Sequence, residues 1–400
     1  MKILHVTPSY EPAWHLGGVV RSVSQLCRGL AGLGHEVTVF TTDNGLDRRL
    51  EVPLNRPMEL GGVKVYYFRT DFSLSYGFSR SLTMACRQSF RSFDIVHLTS
   101  FWCYPQIPAR AAARRDGVPY LVSVRGTIRQ SALKNKSWKK WLYYQVVEKW
   151  TSRQAAAIHY TTQMERGMDS FHGFSNPSFI IPNGFEAQEF CPAVDRQEAR
   201  RFWQIPPDAK VVAFLGRLHP VKALDLLVKA CGQLQVSEIP IQLLLAGPDG
   251  GMEAPLRILV QNLKLESRVR FLGMLNGVDR NRLLAASDLL ALISHDENFG
   301  NAAVEAMLAG VPVLVSEHVG ICREVAADGA GRVVPLKVEA VAQALQQMLA
   351  DPEKLQAMGQ VAAGAARRRY DLTIVARQMA TAYEDILLGR RSSGLSWSDA

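Results

Sequence analysis

The sequence is short of the patterns that mark several common protein classes. Its six cysteines, Cys27, Cys86, Cys103, Cys191, Cys231 and Cys322, are scattered, with no C-x-x-C pair. That excludes a cysteine-built zinc site and a disulfide framework, and it fits a reducing cytosol. No apolar run approaches the roughly 20 residues of a membrane-spanning helix. The first residues, Met1 to Val6, have the length of a strand and lack the longer apolar core of a signal peptide. After that strand there is no G-x-G-x-x-G, which argues against a dinucleotide-binding oxidoreductase. What remains is a globular composition, with 48% hydrophobic and 21% charged residues. At 400 residues the chain exceeds one ordinary core and suits two domains.

An excess of acid is also missing, and the basic excess is one-sided. Residues 1–190 hold 23 Lys and Arg against 14 Asp and Glu, whereas residues 191–400 hold 23 of each. The whole net charge of +9 therefore belongs to the N-terminal half. Its densest stretch runs from Arg125 to Arg166, where Lys134, Lys136, Lys139 and Lys140 are interleaved with Trp138, Trp141, Tyr143 and Tyr144. Such a helix is commonly a solvated face with a core stripe. It also has the composition that settles on an anionic membrane surface. No recognised nucleic-acid-binding fold accompanies it.

Strand and helix patterns alternate along the chain. Ile3–Thr7, Glu36–Thr41, Val63–Phe68, Ile95–Leu98, Tyr120–Val124, a strand near Ala157–Tyr160 and one ending at Ile181 form one series, with helices such as Val19–Leu33 and Ile107–Arg115 between them. A second series begins at Val211 and continues through Ile241–Ala246, Val269–Leu272, Leu289–Ile293, Val311–Val315 and Arg332–Val334. This alternation predicts two α/β domains with parallel sheets covered by helices, each binding ligands at the carboxyl ends of its strands. The proline-bearing stretch from Glu186 to Asp208 carries the domain linker. Expected domains are 1–185 and 186–370, with a last helix, 371–388, packing back onto the first and a disordered tail over 389–400.

The most informative stretch is Asp296-Glu297-Asn298-Phe299-Gly300-Asn301-Ala302-Ala303-Val304-Glu305. It runs from the end of a buried strand into a short apolar helix, Ala302–Ala309. Phe299-Gly300-Asn301 turns the chain and leaves backbone N–H groups at the helix start, which favours phosphate. Glu297 and Glu305 are suited to accept hydrogen bonds from sugar hydroxyls on either side. The combination points to a sugar nucleotide. Arg217 and Lys222 follow the first strand of the second domain and would neutralise a diphosphate there, unless they are plain surface cations. Gly17-Gly18, after the first strand, is either a turn or a close approach of backbone to phosphate. Gly247 lies in a similar strand-end turn, and Asn183-Gly184 is a strong turn former.

The spacing of Glu297 and Glu305 around Phe-Gly, with Gly310-Val311-Pro312-Val313 behind, resembles the E-x7-E signature of the retaining family 4 glycosyltransferases. Gly17-Gly18 and the Arg217-x4-Lys222 element are similar to that family as well, and the resemblance covers nearly the whole chain. It implies a GT-B fold, two doubly wound Rossmann-like domains facing across a cleft. It implies a hexosyltransferase that retains anomeric configuration and needs no metal or other cofactor, which fits the missing Asp-x-Asp cluster. The donor would be a nucleotide-diphosphate sugar, and the acceptor a glycan or lipid-linked glycan in polysaccharide or lipopolysaccharide biosynthesis. The enzyme would be cytoplasmic, with a peripheral seat on the inner face of the membrane and no nucleic-acid partner. Implied catalytic residues are Arg217, Lys222 and Glu297; His97, at a strand end followed by aromatics, and Arg125, which could hold a phosphate or an acceptor hydroxyl, are further catalytic candidates read from their strand-end positions. Implied donor contacts are Gly17, Gly18, Gly247, Phe299, Gly300, Asn301 and Glu305.

Two positions depart from the family pattern. Arg125 stands where a histidine is frequent, and Ala223 stands after Lys222 where glycine is usual. His97 reads equally as a core histidine on a strand. A GT-B epimerase or phosphorylase, or a non-catalytic sugar-nucleotide-binding protein, would share the fold.

Overall fold

A computed structural model describes residues 1–45, 48–72, 76–127, 152–167, 175–190, 194–234, 240–391 and 395–398. The chain divides into two compact units, one made of Met1–Phe185 with Leu372–Ala400, the other of Glu186–Asp371. The basic aromatic segment around Trp138 and Trp141 lies outside the described residues.

The first unit is built on a nine-stranded sheet. Its strands in chain order are β1 (Lys2–Val6), β2 (Glu36–Thr42), β3 (Pro57–Leu60), β4 (Val63–Phe68), β5 (Ile95–Thr99), β6 (Tyr120–Ser123), β7 (Ala157–Tyr160), β8 (Ser178–Ile180) and, from the tail, β15 (Ser396–Ser398). Across the sheet they run β15-β8-β7-β6-β5-β1-β2-β4-β3. Only the two outermost pairs, β3–β4 and β8–β15, are antiparallel. The central strands are buried on both faces; every residue of β5 and β6 is inaccessible or nearly so. That burial explains why they read as mostly apolar without alternation, His97, Thr99 and Ser123 being the polar exceptions.

Helix α1 (Gly18–Gly32) covers one face, and the last helix, α6 (Leu372–Leu388), packs against it. The contact is close because Gly29 has no side chain. A Cβ there would lie 2.9 Å from Cβ of Ala376. Of the tail expected to be disordered, the described residues 396–398 are part of the sheet. Residues 396–398 add a strand to the open edge of β8, Trp397 packs on Phe179 at 4.9 Å between rings, and its indole N–H donates to buried Asp385 at 3.3 Å. The edge strand lacked a partner, and Asp385, paired with Arg390 at 3.3 Å, gains a second one in the Trp397 indole; a Ser- and Gly-rich composition does not reveal either.

The second unit holds a six-stranded, all-parallel sheet: β9 (Lys210–Leu215), β10 (Ile241–Ala246), β11 (Val269–Gly273), β12 (Leu289–Leu292), β13 (Val313–Ser316) and β14 (Gly331–Val334). The spatial order is β11-β10-β9-β12-β13-β14, so the direction of winding reverses between β9 and β12. Ligands of open parallel sheets bind beyond the carboxyl ends of the strands at such a reversal. The helices that matter for the site are α2 (Leu224–Gln233), α3 (Gly277–Ala286), α4 (Asn301–Leu308) and α5 (Pro352–Tyr370).

Candidate functional site

The chain leaves β9 through Gly216-Arg217. Gly247, at the end of β10, has φ +145, and a Cβ on it would fall 1.9 Å from the Gly216 carbonyl oxygen. No other residue fits there. Gly250 is placed the same way against Arg217, whose Cγ would meet a Cβ at 2.8 Å. Leu218 donates its N–H to Pro248 O, and Gly250 donates back to Leu218 O, both at 2.9 Å. These glycines thus let two strand-end turns lie against each other and set the exposed Arg217. Gly247 is close to the site, but its demonstrable contacts are with the neighbouring turn.

A short 3-10 turn, Pro220–Lys222, comes next, followed by Ala223 at φ 46, ψ 40. Ala223 is fully buried and caps α2 in a left-handed conformation. This is the position where the family usually has glycine, and the conformation supplies the reason. The departure changes the residue and keeps the backbone.

The turn carrying Lys222 is tied to the end of β12. The Val221 carbonyl accepts the Ser294 hydroxyl at 2.9 Å and the His295 N–H at 2.8 Å. Ser294 in turn receives and returns hydrogen bonds with Ser316 at the end of β13. Its N–H donates to Ser316 Oγ at 3.1 Å, and Ser316 Oγ donates to the Ser294 carbonyl at 2.6 Å. The outcome of this bracing is an ion pair between Lys222 Nζ and Glu297 Oε2, with both side chains largely covered. Lys222 was expected at a diphosphate and Glu297 beside a sugar; the structure joins them directly.

Beyond Glu297 the backbone pairs with the segment after β13. Gly320 donates to Glu297 O at 2.9 Å and Ile321 to Phe299 O at 3.2 Å. Gly300 then caps α4 at φ 106, with no side-chain cap, and a Cβ there would meet Val319 Cγ1 at 2.9 Å. The helix therefore begins at Asn301 without a competing acceptor from its own cap and with no acidic residue in its first turn, a start that suits an anion. Phe299 points the other way. It is buried and meets Tyr370 edge-on at 5.6 Å, so only its backbone is available as a donor contact. Glu305, one turn into α4, is buried, with Arg280 Nη1 of α3 at 3.7 Å from Oε2.

In the first unit, Gly17 adopts φ 106 and caps α1, with open space where a Cβ would be. Gly18 opens the helix, whose first turn carries no acidic residue. Arg125 follows β6 with φ 52 and is 7% exposed. Its Nη1 donates to Ser22 Oγ of α1 at 3.1 Å and to Asn183 Oδ1. Burial draws its pKa below the usual arginine value, with Glu165 opposing the shift. Arg125 thus braces the start of α1 and the turn at Asn183. Ser100 and Trp102, beyond the neighbouring strand β5, also have positive φ, at 72 and 67. Three strained non-glycine residues at two adjacent strand ends mark a place held in shape by its surroundings.

Of the two readings of His97, strand-end catalytic candidate and core histidine, the structure supports the second. It is fully buried. Nδ1 meets the Tyr383 hydroxyl at 2.6 Å and Nε2 meets Ser123 Oγ at 2.7 Å. Both ring nitrogens are committed inside the sheet, so His97 is a core histidine. The sequence reasoning missed Ser294, Ser316, Arg280 and Phe190. A serine closing each of two apolar strands was the available signal for the first pair; nothing local signalled the second.

Comparison with known proteins agrees with this geometry. The description "Glycosyl transferases group 1" matches residues 195–364, and "Glycosyl transferase 4-like domain" matches residues 17–184. The chain belongs to the group 1 glycosyltransferases. Its relatives include the D-inositol 3-phosphate glycosyltransferase of Kineococcus radiotolerans, 29% identical over 91% of this chain and 89% of the relative. Among solved structures it is similar to sucrose-phosphate synthase from Thermosynechococcus elongatus, with TM-score 0.78, 21% identity, and coverage of 97% of this chain and 100% of the other. It is also similar to Anabaena HepE in complex with UDP-glucose, with TM-score 0.74, 19% identity, and coverage of 96% and 100%. At these identities the structural likeness establishes the GT-B fold. This group 1 member is a glycosyltransferase.

Proposed function

We propose that the protein is a retaining, metal-independent hexosyltransferase that uses a nucleotide-diphosphate sugar. The observation that carries this reading is the Lys222–Glu297 ion pair at the winding reversal, flanked by Arg217 and by the glycine-capped start of α4. Arg217 and Lys222 would hold the diphosphate, and the N–H groups at Gly300 and Asn301 would add to the same field. Glu297 would fix Lys222 and face the donor sugar; Glu305 would accept from the ribose hydroxyls. Gly17 and Gly18, with open space where a Cβ on Gly17 would be, would let the backbone at the start of α1 approach a phosphate. Arg125 is assigned a bracing role at α1.

In the reaction, the bond from the sugar's anomeric carbon to the phosphate oxygen breaks, and a bond to the acceptor hydroxyl oxygen forms on the same face. The acceptor proton passes to the departing phosphate. Because the acceptor attacks the face the phosphate leaves, configuration is retained without a carboxylate nucleophile, and positive side chains stabilise the charge that grows on the phosphate.

We assign the acceptor to a glycan or lipid-linked glycan hydroxyl in polysaccharide or lipopolysaccharide assembly, with the enzyme in the cytoplasm. The +9 charge of residues 1–190 favours a peripheral seat on an anionic membrane. Two experiments test these readings. Purified protein is screened against UDP-, GDP- and ADP-hexoses with EDTA present, and the anomeric configuration of the product is read by NMR. Inversion, or a strict metal requirement, would refute the mechanism. Sedimentation with anionic vesicles at low salt, compared with a variant carrying Ser at Lys134, Lys136, Lys139 and Lys140, tests the membrane seat. Equal sedimentation of the two would refute it.

A further inference from the structure

Glu305 is asked to do a demanding thing. A carboxylate on a long side chain with several rotatable bonds must meet two ribose hydroxyls in one orientation, and orientation of such a group costs rotamer entropy. Something has to hold it. The side chain faces α3, and Arg280 of that helix places Nη1 3.7 Å from Oε2. Both side chains are largely covered, Arg280 to 13% exposure and Glu305 to 7%. The separation is that of an ion pair rather than a hydrogen bond.

Arg280 is itself held from behind. Its guanidinium carbon lies 4.7 Å from the centre of the Phe190 ring, and Phe190 is 2% exposed at the end of the turn Ala187–Phe190. A planar guanidinium on an aromatic face has a fixed plane, which a lysine ammonium would not have. The nearest acid on α3 does not compete. Asp279 takes Arg282 Nη1 at 2.9 Å and Asn276 Nδ2 at 2.8 Å.

We propose that Arg280, stacked on Phe190, is a positioning residue that sets the Glu305 carboxylate to read the ribose of the donor nucleotide. It touches no reacting atom. Its effect is on discrimination between a ribose and a deoxyribose, and not on the chemical step. The inference rests on the donor-site reading of Glu305 given above.

The test is calorimetric binding to the full chain of UDP, GDP and ADP, each beside its 2′-deoxy and 3′-deoxy counterpart. Wild type should prefer a ribonucleotide over at least one deoxy form by about tenfold or more, the worth of a charge-assisted hydrogen bond. Glu305→Gln should lose most of that preference. Arg280→Met should reduce it to within about twofold while leaving the affinity for the deoxy nucleotide unchanged, an outcome that general loss of structure would not produce. Arg280→Lys should retain part of it. If Arg280→Met does not fold, Phe190→Leu removes the stack and should lower the same ratio. Full ribose preference in Arg280→Met, or in Phe190→Leu where that variant must stand in, alongside its loss in Glu305→Gln would overturn the positioning role and leave the Glu305 reading standing. Absence of preference in wild type, its survival in Glu305→Gln, or binding of none of these nucleotides, would overturn that reading and this inference together.

Discussion

Lys222 and Glu297 lie 75 positions apart in sequence and form an ion pair where the second sheet reverses its winding. Their approach is enforced by the backbone between them and not only by charge. The Val221 carbonyl is captured by Ser294 and His295, which ties the turn carrying Lys222 to the segment that leads to Glu297. If the pair serves the departing diphosphate, Lys222→Met should lower kcat by about 10²–10³, with a smaller change in donor KM. Glu297→Gln should also lower kcat. The double variant should lose less than the sum, because the two residues share one contact. Additive losses in steady-state kinetics would show that they act separately.

The conformation of Ala223 gives a second prediction. Its φ of 46 costs an alanine roughly 1–2 kcal/mol that glycine escapes. Glycine would lose roughly 0.5–1 kcal/mol in chain entropy and the contacts of one buried methyl. These terms nearly cancel, so Ala223→Gly should be close to neutral in denaturant unfolding. A β-branched residue has no such relief. Ala223→Val should destabilise the protein by about 2 kcal/mol or more and depress kcat through displaced Lys222. A neutral Ala223→Val would contradict the left-handed geometry.

Gly247 yields a third. A methyl there would sit 1.9 Å from the Gly216 oxygen, at a φ unsuited to a side chain. Gly247→Ala should therefore separate the two strand-end turns and disturb Arg217. The expected loss is several kcal/mol of stability, of the order seen for strained backbone and overpacking together. Unchanged thermal unfolding and kinetics would remove Gly247 from the framework of the site.

Much of this architecture was legible in the sequence. Val211 to Leu215 and Leu289 to Ile293 read as strands because parallel strands buried on both faces must be apolar throughout. Glu297 and Glu305 stood out by their spacing around Phe299-Gly300, and Arg217 and Lys222 by their place at the end of the second domain's first strand. What could not be read were contacts between distant segments. Arg280 is one of two arginines on α3, and only the tertiary structure sets it against Glu305 and Phe190. His97 was ambiguous for the same reason. Its partners, Ser123 and Tyr383, lie 26 and 286 positions away. The β15 strand was hidden because it is three residues long, with one tryptophan between two serines, and its pairing is set by the open edge of β8.

The buried histidines of the first unit lead to the last prediction. His159 Nε2 meets the Ile181 carbonyl at 2.8 Å, so that nitrogen carries the proton and Nδ1 accepts from Ser123. Ser123 then accepts from His97 Nε2, and His97 Nδ1 accepts from the Tyr383 hydroxyl. His5 Nε2 lies 3.3 Å from the same hydroxyl and donates to it. Each ring in this chain is neutral. Burial, reinforced by Arg125, pushes the His5 and His159 pKa values down to about 3, and burial beside the other two rings holds His97 well below its ordinary value. In the unfolded chain the same rings titrate near 6.5. Below that pH the unfolded state binds more protons, so the stability these residues contribute is complete above about pH 6.5 and declines toward pH 3. The slope is up to about 1.4 kcal/mol per pH unit for each ring. Between pH 6.5 and 5 these three rings contribute a stability term that falls as the pH falls. Urea unfolding of wild type across that window should show falling stability, and His159→Gln should flatten the slope by about one ring's share. Equal slopes in the two proteins would mean that His159 is not held neutral in the fold.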